Sequence, residues 1–363
     1  MKLLRPMSIL ASWLMISASA TAQTPLLPPP GAPAPLAPAK KEKPTEKPKP
    51  KPSAAAKKPA PAATPKPAAT PAPTATVTPA PAFDDPNVDL VFGAYQRGQY
   101  KTAFDLATNR AQFNGDPKAM TMLGELYANA MRVKRDYAKA AEWYKRAADG
   151  GDREGMFALA MLRLAGRGGP INREEAVKLL ASSAKLGNPK AAYNLALLYL
   201  DGQTLPQDLK RAAELLRISA DAGNPEAQYA LATFYKEGTG VPKDIDKAVR
   251  LLQAASLAGN VDAEVEYAIA LFNGTGTPKN EPAAVALLRK AARQNSPIAQ
   301  NRLARVLVSG QGAPVDKVEG LKWHIVAKTA GKGDPLLDEA LAALSPEDRA
   351  KAQEAARRWL GSK

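Results

Sequence analysis

Glycines recur every 36 residues through more than half of this chain, and that spacing restricts the folds open to it more than any other feature. Gly115, Gly151, Gly187, Gly223, Gly259 and Gly331 fall in one register, and Asn295 takes the remaining slot. A second glycine column (Gly166, Gly202, Gly238, Gly274, Gly310) keeps the same step. So do an acidic or amide column (Asp136, Asn172, Asp208, Asp244, Asn280, Asp316) and an alanine column (Ala140, Ala176, Ala212, Ala248, Ala284). Self-similarity at such a period signifies one supersecondary unit copied in tandem, stacked as a solenoid.

Each unit reads as two antiparallel helices. In residues 188–223, Asn188 can cap a helix that starts at Pro189, whose missing N–H would be unpaired in a first helical turn anyway. Asp116-Pro117, Asn224-Pro225 and Ser296-Pro297 repeat that start. Leu195, Ala196 and Tyr199 follow on one face, and Gly202 can adopt the left-handed conformation that ends helices. After a loop through Pro206 and Asp208, a second helix carries Ala212, Leu215, Leu216 and Ser219 toward its neighbours. Small residues in the alanine column predict close helix approach. The slot of Trp143, Leu179, Leu215, Leu251, Leu287 and Trp323 is expected to fill the space between units.

These columns resemble the Sel1-like repeat, a relative of the tetratricopeptide repeat. The match runs through Ala119, Leu123-Gly124, Tyr127, Asp136, Lys139-Ala140, Trp143-Tyr144, Ala147-Ala148 and Gly151. In the fourth unit it runs through Gly238-Thr239-Gly240-Val241, Asp244, Lys247-Ala248 and Ala254-Ala255. The resemblance implies an all-α, right-handed α/α superhelical solenoid with six repeats over residues 116–331. Unit two departs from the pattern at Arg163, and unit six at Gly320 and His324, so less regular packing is expected there. Residues 87–115 read as a shorter helical hairpin turned at Gly98, with Tyr95, Ala103 and Ala107 as its contacts. In residues 332–363, Ser345-Pro346-Glu347-Asp348 begins a charged capping helix that reaches Trp359.

The chain ahead of the repeats reads differently. Lys2 and Arg5 precede an apolar stretch over residues 7–16, and small residues at 18–22 offer a cleavage site, the pattern of a secretory signal peptide over residues 1–22. The stretch is short for a membrane span; left uncleaved, it would serve as an inner-membrane anchor. Export to a bacterial periplasm is the expectation. Residues 23–86 form a Pro/Ala/Lys-rich linker, with 20 of the 33 prolines and nine lysines in residues 24–86. That composition predicts a disordered, partly polyproline II tether, roughly 195 Å long if extended. It is either a spacer that touches peptidoglycan through its lysines or an inert leader.

Charge and chemistry narrow the function. Residues 1–86 carry 11 Lys or Arg against 4 Asp or Glu, and residues 87–363 carry 39 against 31. The repeats are thus only mildly basic, which argues against nucleic acid as a partner. Zero cysteine excludes disulfides and thiolate metal sites. His324 is the only histidine, and a packed structural role is expected for it. Gly238-x-Gly240, Gly274-x-Gly276 and Gly310-x-Gly312 recur in register between helices with no strand before them, so they read as turns rather than phosphate loops. Ser182-x-x-Lys185 matches the Ser-x-x-Lys of penicillin-recognising enzymes, to which some Sel1-like proteins have been linked, but no Ser-Asp-Asn partner accompanies it.

Similarity to tetratricopeptide arrays implies a concave groove lined by first-helix positions. Stepping by 36 gives Phe157, Tyr193, Tyr229 and Val265; Met161, Leu197 and Ile269; and Leu164, Leu200 and Phe272. These form an apolar, aromatic strip with polar ends at Lys118, Glu125, Asn301 and Arg305. The strip either binds a protein partner of the cell envelope or, under tight curvature, widens the core. The expectation is a non-enzymatic scaffold with no cofactor, serving signalling, envelope assembly or morphogenesis. A peptidoglycan-associated or β-lactam-binding protein is the alternative.

Overall fold

The computed structural model describes residues 89–362, which belong to one unit of the chain. The expected signal peptide and tether lie outside the described residues. Among those described, sixteen helices follow one another and no strand occurs.

A hairpin of α1 (Leu90–Gln96) and α2 (Tyr100–Phe113) leads in. Six longer hairpins follow: α3 (Pro117–Ala128) with α4 (Tyr137–Asp149), α5 (Arg153–Ala165) with α6 (Arg173–Lys185), α7 (Pro189–Asp201) with α8 (Leu209–Asp221), α9 (Pro225–Glu237) with α10 (Ile245–Leu257), α11 (Val261–Asn273) with α12 (Glu281–Arg293), and α13 (Pro297–Ser309) with α14 (Lys317–Thr329). Two last helices, α15 (Pro335–Ala342) and α16 (Pro346–Gly361), lie beyond them, and α16 packs on α14. From α1 to α15 each helix packs on the next along the chain, as a solenoid requires.

Local chemistry places the starts and stops of the repeat helices. The side chain of Asn188 accepts from the backbone N–H of Lys190 and Ala191, Pro189 opens α7, and Gly202 ends it at φ +70. Asp136, Asn172, Asp208, Asp244, Asn280 and Asp316 each accept an N–H in the first turn of the second helix. The acidic and amide column is therefore a set of N-caps, each worth about 1 kcal/mol. Asn295, where the other units have glycine, holds the left-handed conformation at φ +68.

The slot of Trp143, Leu179, Leu215, Leu251, Leu287 and Trp323 packs between units as expected, Leu179 and Leu251 each against two clusters, but the deepest burial shifts to the residue after it. Tyr144, Leu180, Leu216, Leu252, Leu288 and His324 are all buried, whereas Trp143, Leu179, Leu251 and Leu287 are half-buried. Helical geometry explains the shift: at 3.6 residues per turn, position i+4 from the alanine column faces nearly the same way as i, while i+3 swings toward the flank. Leu215 and Trp323 are nonetheless buried, and Trp323 meets Trp359 of α16 edge-on at 5.0 Å.

Units two and six keep the register, contrary to the expected irregularity. All four of their helices are 13 residues long, as in the units between. Arg163 replaces the tyrosine by pairing with Glu175 at 2.8 Å. Gly320 is needed because a Cβ there would stand 3.0 Å from Val308 Cγ2 and 3.1 Å from the Ala304 carbonyl oxygen. His324 is fully buried, with Nε2 2.9 Å from Asp338 Oδ1, in the packed structural position expected of it.

Candidate functional site

The first helices do not present a continuous free strip. Leu200, Val265 and Phe272 are 1%, 4% and 3% exposed, so these three expected groove residues belong to the core. The step of 36 preserved their place in the unit but not their surroundings: Val265 and Phe272 join the cluster built with the last unit, and Leu200 joins that of units two to four. Phe157, Met161, Leu164, Tyr193, Leu197, Tyr229 and Ile269 remain half-buried. Of these, Phe157, Leu164, Tyr193 and Leu197 pack against the core of units two to four, Tyr229 against that of units four and five, and Ile269 against that of the last units.

Several of these positions link one unit to the next. The Tyr229 hydroxyl donates to Glu266 Oε1 at 3.2 Å, and Lys236 Nζ donates to Glu266 Oε2 at 2.7 Å. Burial first, and Glu266 next, push the Tyr229 hydroxyl pKa up, so it stays a donor. Burial, then Glu226, raise Tyr193 in the same way. Ile269 borders a small cavity of about 260 Å3 beside Lys236 and Glu266. At the C-terminal end, Asn301 Nδ2 donates to the Lys332 carbonyl at 3.2 Å and Arg305 pairs with the buried Asp334. The expected polar end is thus occupied by the chain's own cap.

The N-terminal end carries a groove among the described residues. A groove of about 500 Å3 runs between α1, α3 and α5 and reaches Lys190 of α7. Its apolar wall is Val91, Phe92, Tyr95, Ala119, Met122 and Phe157. Both signs of charge border it. Asp89 pairs with Arg110 at 3.1 Å, and Glu125 accepts from the Tyr144 hydroxyl and from Asn129, each at 2.7 Å. Burial, followed by Glu125, drives the Tyr144 pKa up and preserves that bond. Thr121 Oγ1 donates to Asp152 Oδ2 at 2.6 Å, joining α3 to the N-cap of α5. Arg153 donates to the carbonyls of Leu186 and Gly187. Lys118 and Lys190 are exposed and make no ion pair among the described residues.

Phe157, Lys118 and Glu125 line this N-terminal groove. Met122, Arg153, Glu154 and Lys190 were missed as lining residues. Glu154 and Lys190 lie one and two steps of 36 beyond Lys118, and that step was the signal available for them.

Residues 117–152, 153–188, 189–224, 225–260, 261–296 and 297–332 each match the Sel1 repeat. The chain belongs to the Sel1 repeat family. This Sel1 array is similar to a Sel1 repeat protein from Oxalobacter formigenes at 25% identity and a TM-score of 0.59, over 66% of this chain and 98% of that one. It is also similar to c5321, described as a protective antigen present in uropathogenic Escherichia coli strains and displaying an SLR fold. That likeness has 25% identity and a TM-score of 0.52, over 74% of this chain and 67% of that one. No curated protein matched the chain. Sel1 repeats typically form scaffolds for protein–protein interaction and generally bind protein partners.

The Ser-x-x-Lys pair of this Sel1 array lies on an open surface. Ser182 and Lys185 are exposed in the last turn of α6. The helix dipole there is negative, the wrong sign to stabilise an oxyanion.

Proposed function

We propose that this Sel1 array is a non-enzymatic scaffold that grips a protein partner through the groove between α1, α3 and α5. The observation that carries the reading is the 500 Å3 groove itself, an apolar wall shared by successive units with free cations at its border. Tyr95 and Phe157 are the anchors, because large aromatic side chains dominate the energy of such contacts. Lys118 and Lys190 select a segment that carries carboxylates beside an apolar or aromatic residue. The partner resides in the periplasm, a reading that rests on the signal-like pattern of residues 1–22.

The test is photocrosslinking in the cell of origin from a benzophenone amino acid at residue 157, with residue 217 on α8 as the reference. A protein recovered from residue 157 and not from 217 is expected. Equal recovery from both, or none from 157, would sink the groove assignment. Location is read separately. The chain has no cysteine, so a Ser362→Cys variant labelled by a membrane-impermeant maleimide before lysis marks an exported protein. Labelling only after lysis would overturn the periplasmic reading.

A further inference from the structure

The loops that join the two helices of each unit lie between residues 129–136, 166–172, 202–208, 238–244, 274–280 and 310–316, and their charge is uneven along the array. The first holds Arg132, Lys134 and Arg135 against one carboxylate, Asp136; the second holds Arg167 and no carboxylate. Asp208 and Asp316 give the third and sixth loops the opposite sign, Lys243 and Asp244 cancel in the fourth, and the fifth has Lys279 alone.

The first two loops are drawn together around tyrosines. Arg135 and Arg167 bring their guanidinium carbons to 6.0 and 5.4 Å from the ring centroid of Tyr137, and Lys139 Nζ stands 5.5 Å from that of Tyr127. Gly168 permits this approach. It has φ +71, and a Cβ on it would lie 2.1 Å from the Tyr137 carbonyl oxygen. Arg132, Lys134, Arg135 and Arg167 are all exposed and form no ion pair among the described residues. The one carboxylate nearby is engaged, since Asp136 caps α4 and lies 4.0 Å from Lys139. Cation–π contact offsets part of the repulsion among these charges, and an external anion would offset the rest.

Arg132 adds a second sign of purpose. It holds φ +71 at the position that is glycine in Gly168, Gly240, Gly276 and Gly312. A side chain in that conformation is strained by about 1 kcal/mol or more, and such residues gather at functional places. A cleft of about 490 Å3 lies beside it, bounded by Tyr127, Val133, Lys134, Arg135, Asp136 and Lys139. Ile171 of the second loop is 55% exposed.

We infer that this loop edge docks on an anionic phospholipid surface. Four cations spread over two loops exceed what a single phosphate ion would need, whereas a charged bilayer meets them all at once. The cleft admits a headgroup, and Ile171 supplies an apolar tip for the interface. The patch lies in the interhelix loops while the partner groove lies between first helices, so both can be engaged together.

The test is flotation of the full chain with vesicles of phosphatidylcholine alone and of phosphatidylcholine mixed with phosphatidylglycerol. Wild type is compared with Arg132→Ser/Lys134→Ser/Arg135→Ser/Arg167→Ser and with a remote variant of equal charge, Lys210→Ser/Arg217→Ser/Lys243→Ser/Arg250→Ser. All three carry the same lysine-rich N-terminal segment, so their differences isolate the patch. The expected result is binding confined to the anionic vesicles, lost at high salt. The patch variant is expected to weaken it by about tenfold or more, and the remote variant to leave it within about twofold. Circular dichroism of each variant secures the fold. Equal loss in both variants, or equal binding to neutral vesicles, would overturn the inference. So would full competition by millimolar inorganic phosphate, or preference for a single-stranded oligonucleotide over vesicles.

Discussion

The ring of Tyr144 lies against Gly124 so closely that a Cβ at residue 124 would stand 2.5 Å from Tyr144 Cδ1. The next units hold alanine and leucine at the same two positions, as in Ala160 with Leu180 and Ala196 with Leu216, all buried. Volume lost from one helix is thus returned by the other. Gly124→Ala is expected to destabilise the fold by about 1–3 kcal/mol through overpacking. Adding Tyr144→Leu should recover a large part of that loss, since the pair then matches the later units. Urea unfolding of the two single variants and the double variant measures the coupling; additive losses would dismiss the complementarity.

Asp334 links the last unit to its cap. It is 3% exposed, pairs with Arg305 and caps α15 through Leu336 N. Asp334→Ala should cost about 2–4 kcal/mol, combining a charge-assisted bond with a cap. Loosening should begin in α15 and α16, seen as faster amide exchange there and a change in Trp fluorescence from the Trp323–Trp359 contact. Uniform exchange along the whole array would contradict this.

Asp338 supplies a pH dependence. Hydrogen bonds from Lys328 first, and His324 second, hold its carboxyl below the usual aspartate range. A depressed pKa means stability that is present above about pH 4 and lost as pH falls through the lower folded value. The melting temperature of wild type should therefore exceed that of Asp338→Asn at neutral pH, and the gap should close below about pH 4. A constant gap down to pH 2 would show that Asp338 acts through packing instead.

Tyr229 is expected to be structural. Tyr229→Phe removes the bond to Glu266 and should lower stability by about 1 kcal/mol, while recovery of the crosslinked partner from residue 157 stays unchanged. Loss of that partner with stability intact would return Tyr229 to the binding surface.

Lys118→Glu with Lys190→Glu reverses the free cations of the groove. Both are exposed, so melting should shift little. Binding of the crosslinked partner should weaken by about tenfold or more at low salt and far less at high salt. Unaltered binding would remove charge from the recognition.

Periodic positions were legible in sequence because one local reason acts six times. Proline at the first turn, Asn or Asp at the caps and glycine at the ends each need only their own few neighbours. The depth of a side chain is different. Val265 and Phe272 share columns with Phe157 and Leu164, yet the last unit covers the former pair and not the latter. The second-helix slot of Leu179 and Leu251 packs between units as its spacing predicts, but the buried residue beside it, Leu180 or Leu252, follows from helical geometry rather than from residue size. The groove itself was half legible. Phe157, Lys118 and Glu125 were named, but its far wall comes from α1, which lies outside the repeat and has no counterpart from which to extrapolate.

The ten helices of units two to six have the same length and register, and this has an evolutionary corollary. An in-frame duplication or deletion of 36 residues between α5 and α14 would leave alanine facing leucine at most new junctions, so the array can change length in whole steps. An exchange that splits the first full unit is disfavoured, because Tyr144 would then overpack an alanine in place of Gly124. Lineages of this protein should therefore differ in the number of middle units while keeping the groove-bearing end intact.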